Sequence, residues 1–174
     1  MKYKLTDETK VVGGTTLHRI KALKTFGNVT KGDLGGWVET ESNLSQLGNA
    51  WVYGNARVYC NAIVYGNARV YCEARVCGNA RVYGTARVCG NARVAGSARI
   101  FGSARIYCEA IVSGNALVSG DACVYDNAIV YGNARVYGNA EVSGATWVAG
   151  DTIPKNSSSV AKQLKEKGIK LGIK

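Results

Sequence analysis

Arginine is the residue type in this sequence whose number and spacing most directly suggest a chemistry. Between Trp51 and Ile106 the arginines recur at multiples of six residues and face a single acidic residue, Glu73. Because a guanidinium group donates paired hydrogen bonds to phosphates and carboxylates, such a row predicts binding of an anionic ligand. The arginines of this row are Arg57, Arg69, Arg75, Arg81, Arg87, Arg93, Arg99 and Arg105.

Tyrosines accompany several of these arginines two positions further along the chain. Tyr71 follows Arg69, and Tyr83 follows Arg81. Phenol rings stack on nucleobases and on guanidinium groups, so Arg/Tyr ladders could hold a nucleotide, a nucleic acid or an acidic protein. The formal charge of +10 favours the same partners. The pattern leaves open a purely structural strand surface, kept soluble by its charge.

Residue types that perform catalysis or bind metals are sparse. His18 is the sole histidine and lies outside the arginine row, so it is a weak candidate for a general base, and a polar residue on a cap strand is the simpler interpretation. A metal site with three histidines is excluded. The six cysteines are expected to be free thiols in an intracellular protein. No cofactor and no metal are expected, and a binding protein is favoured over an enzyme.

A repeat of six residues must position these side chains. A β-branched aliphatic residue stands at every sixth position from Val52 to Val148, and a small residue, usually Ala, stands two positions before it. Because side chains alternate across a strand, the Ala/Val face must point inward and the Arg and Tyr side chains outward. Gly-Asn pairs bend the chain between strands. Three bends close a coil of 18 residues, so the pattern predicts an all-β solenoid of about six stacked coils.

Outward residues then fall into three columns when the sequence is read in steps of 18. In one column the arginines give way to Ile111, Ile129 and Trp147, which form an exposed apolar stripe that needs a cover. Either a C-terminal helix bearing Val160 and Leu164 or another subunit could cover it, and an oligomer interface is favoured. The columns are Trp51, Arg69, Arg87, Arg105, Cys123, Glu141; Arg57, Arg75, Arg93, Ile111, Ile129, Trp147; and Ile63, Arg81, Arg99, Leu117, Arg135.

The repeat aliphatic-x-Gly-Asn-Ala-x resembles the hexapeptide-repeat (transferase-hexapeptide) superfamily over about Gly36 to Thr152. The resemblance implies a left-handed parallel β-helix with three faces per coil, and commonly a homotrimer. This sequence departs from the family in placing Tyr after most of the aliphatic residues. The segment from Gly32 to Glu39, with Asn43-Leu44-Ser45, also looks like a subgroup of small bacterial and prophage-encoded proteins for which no activity is established.

Three functions follow from the residues and the resemblance together. The favoured one is an oligomeric, non-enzymatic binding protein that sequesters a nucleotide signal or blocks a host factor, with the phage or prophage origin that the resemblance implies. Acyltransferases of the superfamily use a histidine as general base near a groove between subunits. An acyl-coenzyme A dependent acyltransferase with His18 as base is therefore the first alternative, and a structural scaffold is the second.

The chain divides into three segments. Residues 1–35 are expected to form an N-terminal β cap, with a hairpin or meander around Gly13-Gly14; residues 36–153 form the β-helix; and residues 154–174 form a basic tail with a short helix. In the first coil, Val38 and Leu44 stand in the phase that later repeats give to Ala. The sequence has no long apolar run and no leader, which predicts a cytoplasmic protein with no membrane association.

Overall fold

The computed structural model describes residues 1–150 of the chain. Beyond a short 3-10 helix at Glu41–Asn43, regular structure in this part of the chain is β-strand, and the repeat strands pair in parallel with a step of 18 residues. The fold is an all-β solenoid of about six coils, as the period predicts. The strands are β1 Tyr3–Val12, β2 Thr15–Ala22, β3 Leu34–Val38, β4 Trp51–Val52, β5 Arg57–Val58, β6 Ile63–Val64, β7 Arg69–Val70, β8 Arg75–Val76, β9 Arg81–Val82, β10 Arg87–Val88, β11 Arg93–Val94, β12 Arg99–Ile100, β13 Arg105–Ile106, β14 Ile111–Val112, β15 Leu117–Val118, β16 Cys123–Val124, β17 Ile129–Tyr131, β18 Arg135–Val136, β19 Glu141–Val142 and β20 Trp147–Ala149.

Three parallel sheets form the three faces of the solenoid. The first face has the order β4-β7-β10-β13-β16-β19, the second β3-β5-β8-β11-β14-β17-β20, and the third β6-β9-β12-β15-β18. On the first face Arg87 pairs with both Arg69 and Arg105. On the second face Ile129 pairs with both Ile111 and Trp147. The registers therefore confirm the three predicted columns.

The core is the column of small and aliphatic side chains that the repeat predicts to be inward. The Ala and Val of the repeat, such as Ala92 and Val94, are fully buried in coil after coil. Each buried Val contributes roughly 1.5–3 kcal/mol of hydrophobic stabilisation, which is why a thin cross-section suffices. Most strands have only two residues, because a turn with a left-handed residue follows each of them.

The N-terminal segment caps the first coil. β1 and β2 form an antiparallel hairpin around Gly13 and Gly14, which confirms the expected hairpin. The other edge of β2 pairs antiparallel with β3, and β3 in turn pairs in parallel with β5. Trp51 begins its outward column as predicted, since it pairs with Arg69, but the expectation that its side chain is exposed like the arginines is wrong. Its side chain is buried against Tyr3 and Phe26, both in edge-to-face contact with the indole ring.

The first coil has a different phase from the one that the six-residue count predicts. Val38 pairs with Val58 and Leu44 bridges Val64, so the step here is 20 residues (58 minus 38) rather than 18. Val38 and Leu44 therefore occupy the aliphatic columns and not the Ala columns. Gly36 takes the place of Ala in this coil, because a Cβ there would lie 2.6 Å from the carbonyl oxygen of Ala56.

The predicted C-terminal helix and its Val160/Leu164 face lie outside the described residues. Within residues 1–150, no helix is long and apolar enough to cross a membrane.

Candidate anion-binding site

A groove of about 470 Å³ opens on the first face of the solenoid, directly beside the N-terminal cap. We call it the Arg69 groove. Arg69 and Arg87 stand on the neighbouring strands β7 and β10 and form its basic floor. The residues that line it are Asn28, Tyr53, Arg69, Tyr71, Cys72 and Arg87.

The cap converts a flat face into a concave one. The outward column of the first face begins with Trp51, whose ring is covered by Tyr3 and Phe26. Phe26 and Val29 pair through two backbone hydrogen bonds of 2.9 and 3.0 Å, and this tight bridge holds Asn28 at its tip. Arg69 is the next residue of the column after Trp51. The cap therefore lies directly beside Arg69 and forms one side of the groove.

The two arginines of the groove form no ion pair with a carboxylate of residues 1–150. Parallel strands are about 4.8 Å apart, so the two like charges repel each other unless an anion lies between them. A phosphate or carboxylate group could accept hydrogen bonds from both guanidinium groups and remove this repulsion. The ion pairs in this part of the chain are Arg19–Glu8 and Arg57–Glu73.

Tyr71 contributes a neutral phenol to the groove. Burial raises the pKa of Tyr71 to about 12, and the neighbouring Cys89 side chain adds to the increase. Burial also raises the pKa of the Cys89 thiol, so neither group is ionised near neutral pH. Tyr71 can therefore donate its hydroxyl proton to an anionic ligand without adding negative charge, and Cys89 lacks the thiolate that a nucleophile needs.

Cys72 occupies a corner position of the coil, where most repeats have glycine. Its φ of 61° lies in the left-handed region, as do the φ angles of Cys60, Cys108 and Asp126. The cysteines within residues 1–150 are all free, as the sequence predicts. Cys72 is exposed at the rim of the groove, so its thiol is accessible from solvent.

The other predicted ligand-binding residues are spread over the three faces. Arg57 is half-buried and pairs with Glu73 at 3.6 Å, so its charge is already matched. Tyr83 is stacked between Tyr65 and Phe101, and neither face of its ring is open to a ligand. Of the ten predicted residues, the structure brings Arg69, Tyr71 and Arg87 into one site. Arg105 continues their column below the groove, Arg75 and Arg93 lie on the second face, and Arg81 and Arg99 lie on the third.

His18 lies in the cap, away from the Arg69 groove. It is on β2, and its Nδ1 atom lies 3.4 Å from the carbonyl oxygen of Thr6 on β1. Among the described residues, no three His, Cys, Asp or Glu side chains are close enough to hold a metal ion.

Sequence reasoning missed Asn28 as a component of the site. It belongs to the irregular part of the cap, where no period predicts which side chain meets which face. The sequence gives only an indirect signal for Asn28. A segment without the repeat precedes the first coil, so some of its residues must pack beside the first outward column.

Comparison with known families agrees with this architecture. Residues 50–66, 74–85, 86–102 and 134–150 match the family described as YdcK beta solenoid repeat. The chain is a β-solenoid repeat protein. The matched stretches include β4 and β10, the two strands on either side of β7 on the first face. No curated protein matches the sequence.

Proposed function

We propose that this β-solenoid repeat protein is a binding protein that holds a small anionic ligand of the nucleotide class in the Arg69 groove. One observation carries the proposal: Arg69 and Arg87 are adjacent on β7 and β10, have no carboxylate partner among residues 1–150, and face a walled groove. The groove volume of about 470 Å³ falls in the range of small-molecule sites.

Each lining side chain has a role in this proposal. Arg69 and Arg87 bind the phosphate or carboxylate oxygens, and the Tyr71 hydroxyl donates a further hydrogen bond. Tyr53 supplies aromatic surface, and Asn28 supplies an amide that both donates and accepts hydrogen bonds. A small ligand is favoured over a long polyanion because the cap closes one end of the groove.

The test is a titration of nucleoside mono-, di- and triphosphates, inorganic phosphate and a short single-stranded oligonucleotide by calorimetry at two salt concentrations. Arg69→Ala and Arg87→Ala should each weaken binding about 10-fold or more, because a hydrogen bond to a charged group contributes roughly 1.5–3 kcal/mol. Each should also lower the salt dependence by about one counterion. The matched control is Arg105→Ala, one strand below Arg87 in the same column but outside the groove.

The outcomes separate specific binding from diffuse charge. An affinity that falls equally in all three Arg variants, or only in a deletion of the basic tail after Pro154, contradicts a site in the groove. An absence of binding at moderate salt leaves the scaffold as the better explanation. Mass spectrometry of ligands released from the denatured protein adds a further check, since release of coenzyme A would favour an acyltransferase instead.

A further inference from the structure

A column of aromatic rings runs along the third face, at the position after each buried aliphatic residue. The rings of Tyr65 and Tyr83 are parallel within 6°, with centroids 4.8 Å apart, and Tyr83 and Phe101 stack in the same way at 5.0 Å. The column therefore places one ring on each of these three successive coils, at the spacing of the coils themselves. We call it the third-face ring column.

Serine interrupts this column in two places. The backbone N–H of Tyr65, Tyr83 and Phe101 donates to the buried aliphatic residue of the next coil, and the N–H of Ser45 and Ser119 does the same. Ser45 thus holds the ring position one coil before Tyr65. Ser119 holds the position after Phe101, and its N–H donates to Val136, directly before Tyr137.

Each serine coincides with a pocket. The pocket at Ser45, of about 490 Å³, is lined by Tyr65, Ile63 and Arg81, by the acidic Glu41, and by Ser42, Leu44, Ser45 and Gln46. The pocket at Ser119, of about 290 Å³, is lined by Tyr137, Val136, Leu117 and Arg135. Both pockets contain a serine, the tyrosine of the next coil, and an outward aliphatic residue. In each pocket that aliphatic residue pairs with an arginine on the neighbouring strand, as Ile63 does with Arg81 and Leu117 with Arg135.

The ring at the edge of each pocket has one face that its own column leaves open. Tyr83 covers one face of Tyr65, and the opposite face is directed toward Ser45. Phe101 and Tyr137 stand two coils apart, which is about 10 Å at the usual strand spacing. One ring between them would have the environment that Tyr83 has between Tyr65 and Phe101.

We propose that the two serine positions are binding sites for a planar aromatic ligand that carries an anionic group. The ligand ring completes the third-face ring column by stacking on Tyr65 or Tyr137. The arginine beside it, Arg81 or Arg135, binds the anionic group. Aromatic carboxylates and nucleoside monophosphates share this chemistry. These sites are on a different face from the Arg69 groove and do not depend on it.

The experiment uses full-length protein carrying both Arg69→Ala and Arg87→Ala, so that neither arginine of the Arg69 groove contributes. Calorimetric titrations compare 2-naphthoate, a nucleoside 5′-monophosphate and cyclohexanecarboxylate, which has the charge without the aromatic ring. We expect two sites per chain for an aromatic anion, and binding of the non-aromatic acid about 10-fold weaker or more. The tighter of the two aromatic probes identifies the source of the ligand.

Filling the column provides the decisive variants. Ser45→Tyr and Ser119→Tyr place a ring where the other coils have one, so both proteins should remain folded, as judged by circular dichroism and melting temperature. Each should remove one of the two sites, and the double variant should remove both. The matched control is Ser113→Tyr, the equivalent position on the second face, which should keep two sites.

Arginine variants test the anionic half of the ligand. Arg135→Ala should weaken binding at the Ser119 site about 10-fold. Arg99→Ala, on the same face but outside both pockets, should change it less than 2-fold. Two retained sites in the double Tyr variant, or equal binding of the non-aromatic acid, overturn the proposal. Neither result bears on nucleotide binding in the Arg69 groove, which is measured with both wild-type arginines in place.

Discussion

The side-chain amide of Gln46 is hydrogen-bonded to the backbone of Tyr3 in both directions. Its Nε2 donates to the Tyr3 carbonyl at 3.2 Å, and its Oε1 accepts from the Tyr3 N–H at 3.3 Å and from the Lys2 N–H at 2.7 Å. Gln46 and Leu47 are the two residues by which the first coil exceeds the others. The insertion therefore fastens β1 to the solenoid and closes its N-terminal end.

We expect Gln46→Ala to loosen the cap. The change removes three hydrogen bonds and leaves backbone groups of Lys2 and Tyr3 without partners, which should lower the free energy of unfolding by about 1–3 kcal/mol. Urea denaturation measures this loss. Leu47→Ala is the control, because the Leu47 side chain is exposed and its removal should be nearly neutral. Equal effects of the two changes would show that the insertion does not hold the cap.

Lys2 gives the stability a pH dependence with a definite sign. Its Nζ is buried and donates to the Ala50 carbonyl at 2.8 Å, and burial, assisted by the charge of Lys24, lowers the pKa of Lys2 from 10.5 to about 8. Between these values the unfolded chain binds more protons than the folded protein, so raising the pH through this window increases stability. The full window corresponds to about 3 kcal/mol.

The measurement is the melting temperature of wild type and Lys2→Met at pH 7.5 and 9.5. The wild type should gain stability relative to the variant at the higher pH. Burial, with the charge of Glu41, raises the pKa of Tyr3, so this phenol ionises in the unfolded chain before it ionises in the folded protein. That difference lowers stability above about pH 10. The upper limit of the measurement avoids this region. A difference between the two proteins that does not change with pH would contradict the lowered pKa.

Val94 and Arg93 test the inward and outward faces at adjacent positions. Val94 is fully buried, so Val94→Asp buries a carboxylate without a partner and should cost more than about 4 kcal/mol, enough to prevent folding. Arg93→Ser changes an exposed side chain and should stay within about 0.5 kcal/mol. Circular dichroism and thermal melting report both. Soluble Val94→Asp protein that melts like the wild type would refute the core assignment.

Substitutions at Gly96 and Gly144 allow the cost of a left-handed backbone to be measured separately from the cost of close packing between coils. Both have φ of 65°, so a change to Ala at either position costs roughly 1–2 kcal/mol for the left-handed conformation. A Cβ at position 96 would also lie 2.8 Å from the backbone N and O of Gly114, whereas at position 144 it meets no atom of residues 1–150 within 4 Å.

Gly96→Ala should therefore be less stable than Gly144→Ala by about 1–3 kcal/mol, the usual penalty for overpacking. Chemical denaturation of the two variants gives the difference directly. If both lose the same stability, the coils can separate locally enough to accept a methyl group, and the left-handed backbone alone explains the glycines.

The apolar stripe of Ile111, Ile129 and Trp147 forms a continuous row on β14, β17 and β20, and the Trp147 side chain is half-exposed at 51%. We propose that it is the interface between subunits of a homotrimer. Ile129→Glu should then convert the oligomer to a monomer in analytical ultracentrifugation, while the β-type circular dichroism persists. Arg93→Glu, in the same column above the stripe, is the control and should keep the oligomer. A lower melting temperature at unchanged mass would favour a cover from the same chain.

The six-residue period was enough to predict the solenoid, its core and its outward columns. Val94 is buried and Arg87 pairs with Arg69 because every coil repeats the same local geometry. When a strand has only two residues and a bend follows it, the side-chain alternation within one repeat decides which residue faces inward. The step of 18 then decides the neighbours, so no long-range information is needed in the regular part of the chain.

Only the tertiary structure decided how the irregular beginning meets the first coil. The sequence count placed Trp51 on the surface and Val38 in an Ala column, but the cap covers the indole ring and Gln46 and Leu47 shift the phase of the coil. The Arg69 groove exists for the same reason, since Asn28 reaches it from a segment without a period. Contacts between segments distant in the chain depend on shape and on side-chain hydrogen bonds, and a local repeat does not encode them.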